Sequence, residues 1–92
     1  MGMDGDVNLV AARRRLVFLA GRRSMAEMER ILERFLEREL AGLDDRACAG
    51  FLELLEESDA DLLDWMGGIK PIPERIDRSL MARLGAHARE HS

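Results

Sequence analysis

Tyrosine is absent from this 92-residue chain, and only three phenylalanines and one tryptophan are present. Leu, Met, Ala, Glu and Arg dominate instead, and these are good helix formers. Cysteine occurs once, as Cys48. A single thiol excludes an internal disulfide and suits a reducing compartment. Set among small apolar residues in "RACAGF", it reads as a buried hydrophobe. No apolar run reaches the roughly eighteen residues that a membrane-spanning helix needs, so no membrane insertion is expected. The opening "MGMDGDVN" is acidic and short, unlike a secretory signal or transit peptide. Asp6 stands where a myristoylation signal wants a small hydroxyl residue. Residues 1–8 are expected to be a flexible N-terminus and 9–90 a single helical domain.

The formal net charge is −4, which argues against nucleic acid as a partner. The charge is uneven. Residues 1–30 hold six Arg against four acids, and residues 31–92 hold eight basic side chains against fourteen acids. This asymmetry reads as a patterned surface.

What the chain has in abundance is helical periodicity. In "NLVAARRRLVFLA", Leu9, Ala12, Leu16, Leu19 and Ala20 share one stripe, and Gly21 ends it. A second helix is expected from Ser24, with Met25, Met28, Leu32, Phe35, Leu36 and Leu40 on its apolar face. Its charges repel at i, i+4 (Glu29–Glu33–Glu37 and Arg30–Arg34) and attract at i, i+3 (Glu27–Arg30, Arg30–Glu33, Arg34–Glu37). Gly42 breaks it. Asp44 or Asp45 caps a third helix that buries Cys48, Phe51, Leu52, Leu54 and Leu55. Ser58 or Asp59 caps a fourth, with Leu62, Leu63, Trp65 and Met66 apolar. Gly67 and Gly68 stop it in a left-handed cap. Pro73 suits the first turn of a fifth, where Ile76, Leu80, Leu84 and Ala88 keep the period. Strand alternation and internal repeats are both missing. The fold class is all-α, a small compact five-helix bundle.

No constellation for catalysis is found. His87 and His91 have a chelating i, i+4 spacing, but they lie at the C-terminus with only Glu90 beside them and read as a solvated tail. Ser24, Ser58 and Ser79 lack a local histidine to activate them. "GG" at 67–68 has no strand before it and no phosphate-loop lysine in register. Asp59 and Asp61 are acids expected of any helix N-terminus. Neither a catalytic residue nor a metal site is assigned, and a binding or assisting role is favoured over an enzyme.

"GRRSMAEMER", Gly21 to Arg30, supports two readings. Ser24 and Glu27 have the spacing of a capping box. Arg22, Arg23 and Glu27 also form a polar patch at a turn between helices, which a partner can reach.

The stretches taken together resemble a known family, the small FAD assembly factors of succinate dehydrogenase, or flavinators. The likeness begins at "RRRLVFLAGRRSMAEMERILERFLE". There the family carries a basic–Leu opening, an Arg-Gly-x-x-Glu motif and an apolar–Phe helix. It continues through "FLELLEESDADLLDWMGG", with its Asp-x-Asp-Leu segment and a Trp near glycine, and it covers Arg13 to Arg83. The resemblance implies a five-helix bundle. It also implies a cytoplasmic helper that binds the flavoprotein subunit of succinate dehydrogenase or fumarate reductase and promotes covalent attachment of FAD to a histidine there. The FAD would belong to the partner, with no cofactor stably bound by this chain. Carried over by position, Arg23 takes the motif arginine, Glu27 the glutamate, and Ser24 stands where the family has glycine. The implied partner-binding residues are Arg23, Ser24, Glu27, Arg22 and Arg15, with Arg22, Arg23 and Glu27 expected on the surface. The competing reading is a helical adaptor or regulator that binds some other protein.

Overall fold

Five periodic stretches become five α-helices in the computed structural model, which describes residues 2–90, with side chains over 9–89. They are α1 (Gly2–Ala20), α2 (Ala26–Glu39), α3 (Asp45–Leu54), α4 (Asp59–Met66) and α5 (Arg78–Glu90), with a 3₁₀ turn at Leu40–Gly42. No strand occurs among the described residues. α1 begins at Gly2, ahead of the stretch from Asn8 that periodicity suggested; the side chains of residues 1–8, and His91, lie outside the described ones.

The helices stop and start where local chemistry tells them to. Asp44 caps α3 by accepting from the Ala47 N–H at 2.8 Å, and Ser58 caps α4 by accepting from Asp61 N–H at 3.1 Å. After α4, Gly68 adopts φ +73°. Ile69 N–H then reaches back to the Asp64 carbonyl at 2.9 Å, and Gly68 N–H to that of Trp65 at 3.4 Å. This pair of bonds is a Schellman motif. Two starts differ from expectation. Pro73 opens only a single turn, closed by Ile76 N–H on its carbonyl. α5 begins at Arg78 because Asp77 caps it, accepting from Ser79 and Leu80 N–H. α2 begins at Ala26, not at Ser24.

α1 packs along α3 and α2, while α2, α3 and α4 each meet α5. The centre is Leu16, Met28, Leu32, Phe35, Leu43, Cys48, Phe51, Leu62 and Leu84, all buried. Each such large side chain contributes about 1.5–3 kcal/mol of burial. The rings of Phe35 and Phe51 pack tilted at 4.8 Å, and His87 meets Phe35 edge-on at 5.1 Å. His87 is thus part of the bundle and sits 3.4 Å from Glu39, whereas the sequence suggested a solvated tail. Gly50 lets α3 approach α5: a Cβ there would collide with the Leu80 side chain. Arg13 donates to the Ala41 and Leu43 carbonyls at 3.0 and 2.9 Å, tying α1 to the turn that precedes α3. Met25, placed on the apolar stripe by periodicity, is 40% exposed because it precedes the helix.

Candidate partner-binding site

The site expected at the α1–α2 turn divides into an inner and an outer half. The inner half centres on Asp59, the first residue of α4, whose side chain is 2% exposed. A buried carboxylate needs a counter-charge and enough donors to replace water. Both come from Arg23 and its neighbours. Arg23 Nε donates to Asp59 Oδ1 at 2.6 Å, while Ser24 Oγ and Met25 N–H donate to Oδ2 at 3.1 and 2.9 Å. The rest of the Arg23 guanidinium donates to the Leu55 and Glu57 carbonyls at 2.7 and 2.8 Å. These carbonyls follow the C-terminus of α3, where a cation is favoured. Burial pushes the Asp59 carboxyl up, but the Met25 N–H, the Arg23 guanidinium and the Ser24 hydroxyl outweigh it and hold Asp59 below the usual carboxylate range.

Two expectations are corrected by this arrangement. Arg23 is not on the surface: its side chain is 9% exposed, drawn inward by the Asp59 charge. Nor do Ser24 and Glu27 form a capping box. The residue preceding α2 is Met25, with extended backbone and no side-chain cap. In a capping box a glutamate from the next turn would satisfy that residue's N–H; here Asp59, from another helix, takes its place. The Ser24 hydroxyl is committed to the same carboxylate.

The outer half keeps the exposed residues. Arg22 lies with its guanidinium 5.1 Å from the Phe18 ring centroid, and Phe18 is 56% exposed. Such surface contacts are worth about 0.5–1 kcal/mol. Arg15 is exposed on α1, three residues before Phe18 and on the same row. No hydrogen bond or ion pair among the described residues ties Arg15 to Arg22 or Glu27. Glu27 is exposed in the first turn of α2 and borders a groove with Arg30, Arg34, Leu63 and Met66. The sequence reading missed Asp59 as the organiser and Phe18 as a surface ring. The i, i+4 spacing of Phe18 and Arg22 was the available signal for the second.

Cys48 is fully buried, and burial pushes its thiol up. Among the described residues there is no group of His, Cys, Asp or Glu that could hold a metal ion, and no helix long and apolar enough to cross a membrane.

Fold and site thus define a small helical bundle whose outward feature is a braced, charged turn. Residues 14–88 match the model of the family described as flavinator of succinate dehydrogenase. The chain belongs to that family. It is 31% identical over 77 residues to the "FAD assembly factor SdhE" of Acetobacter pasteurianus, covering 84% of this chain and 71% of that protein. It is 26% identical over 88 residues to the mitochondrial "Succinate dehydrogenase assembly factor 2-B" of Drosophila melanogaster, covering 94% of this chain and 56% of that one. The chain therefore spans little more than half the length of its fly relative. No solved structure matches it.

Proposed function

We propose that this chain is a cytoplasmic assembly factor that binds the flavoprotein subunit of succinate dehydrogenase, or of fumarate reductase, and promotes covalent attachment of FAD to it. The family match across residues 14–88 carries this reading. In it the bond-forming chemistry belongs to the flavin and the partner, and this chain is not an enzyme and holds no cofactor of its own. Its contribution is a docking surface around Arg22, Ser24 and Glu27, with Arg15 beside them. Arg23 acts from within. By fixing the turn to Asp59 and to the carbonyls of Leu55 and Glu57, it presets the surface, so that docking loses less conformational freedom.

The test is in-gel flavin fluorescence of the denatured flavoprotein subunit from cells lacking the native factor, with and without this chain. Fluorescence restored by the chain is expected. A subunit that stays dark, with the chain expressed and folded, overturns the reading.

A further inference from the structure

Two rows of like charge run along α2. Glu29, Glu33 and Glu37 repeat at i, i+4, i+8 along a groove shared with α1. Arg30 and Arg34 repeat along the other groove, toward α4 and α5. None of the expected i, i+3 ion pairs between the rows is closed among the described residues. Neighbouring like charges on a helix destabilise it, so the glutamate row carries a local cost that no ion pair among the described residues offsets.

The groove beside that row has a volume of about 370 Å³. Val17, Leu36 and Leu40 supply apolar surface, and Gly21 leaves its end open. Val17 is 51% exposed, and Val10, seven residues back on the same flank of α1, is 48% exposed. An apolar trough with a rim of one sign fits an amphipathic segment of the opposite sign. The same rim disfavours an anionic membrane surface, which attracts basic rather than acidic residues.

We propose that the α1–α2 groove is a docking site for a basic amphipathic segment of the flavoprotein partner, its apolar side chains on Val17, Leu36 and Leu40 and its Lys or Arg side chains on Glu29, Glu33 and Glu37. The inference rests on the flavinator reading and extends it. The groove is continuous with the docking turn, since Gly21 lines it and Arg22 follows. The arginine row on the opposite flank repels the same segment, so α2 fixes on which side it lies.

The test measures binding of the isolated flavoprotein subunit to the full chain across ionic strength, from about 0.05 to 0.5 M salt. The variant Glu29→Gln with Glu33→Gln and Glu37→Gln relieves repulsion, so it folds at least as well as wild type. It is expected to bind about tenfold more weakly at low salt and to lose most of the salt dependence. Val17→Asp is expected to weaken binding at every salt concentration. Equal binding by wild type and the triple variant overturns the groove while leaving the flavinator reading intact. Failure of wild type to bind overturns both. If the triple substitution instead changes self-association in sedimentation, the occupant is a second copy of this chain and the named one is wrong.

Discussion

Arg23 and Asp59 meet through a 2.6 Å charged hydrogen bond across 36 positions of sequence, and both are almost wholly buried. The pair joins the α1–α2 turn to the start of α4. Removing one member of a buried pair strands the other, at a cost of about 3–5 kcal/mol. Arg23→Ala also leaves two carbonyls without donors. Urea unfolding should therefore show Arg23→Ala and Asp59→Asn each losing about that much. The double variant should fall short of the sum by about 1–3 kcal/mol. Additive losses would mean that the two groups act separately.

The same carboxylate sets an acid limit. Its folded pKa lies below the ordinary value, so it contributes stability above the unfolded pKa of about 3.9 and loses it as pH falls through the folded value. Glu39, held low chiefly by its hydrogen bond from Arg83, adds in the same direction. Stability should be level in these terms above pH ~5 and decline below ~4. Asp59→Asn should flatten that decline. A slope unchanged by the substitution would assign the acid sensitivity to other groups.

Ser24 stands where the resemblance places glycine, and its hydroxyl turns inward to Asp59 at 3.1 Å. Ser24→Gly removes that bond, worth about 0.5–1.5 kcal/mol, and should lower Tm by about 4–8 °C per kcal/mol. Because the hydroxyl is spent on the carboxylate, Ser24 serves docking through its backbone, which Ser24→Gly keeps, and binding of the flavoprotein subunit should be unaffected. A gain in affinity without loss of Tm would show the hydroxyl to be an obstacle at the interface.

How much of this was legible before the fold depends on how local each feature is. Asp44 and Ser58 cap helices through N–H groups three residues on, and the Met28–Leu32–Phe35 stripe declares its own helix. The turn at Ser24 misled because its cap is not local: the carboxylate that satisfies Met25 N–H lies 34 residues away. From sequence Asp59 is one acid among several at a helix start, and Arg23 one charge in a basic run. Their burial is a property of the packing of α4 beneath the turn. A proline tolerates a first turn without specifying one, so the sequence points to Pro73 for a start of α5 that Asp77 specifies instead.

Gly68 offers a sharper check of the backbone. At φ +73° a side chain costs about 1–2 kcal/mol, so Gly68→Ala should lower the unfolding free energy by that amount. Gly42 has no positive φ, and an added Cβ there meets nothing within 4 Å. Gly42→Ala should be neutral or stabilise by about 0.4–1 kcal/mol through the unfolded chain. Equal effects from the two would contradict the left-handed turn after α4.

Glu27 separates docking from folding. It is exposed, and its carboxylate joins no hydrogen bond or ion pair among the described residues. Its only evident stabilising role is its place near the N-terminus of α2, worth about 0.3–1 kcal/mol. Glu27→Ala should therefore unfold close to wild type, yet fail to restore flavin fluorescence to the flavoprotein subunit in cells lacking the native factor. Arg23→Ala should fail as well, but with the large stability loss argued above, because its role is to brace the turn. Undiminished covalent FAD incorporation with Glu27→Ala would remove Glu27 from the docking surface and leave Arg22 and its contact with Phe18 as the part of the turn to test.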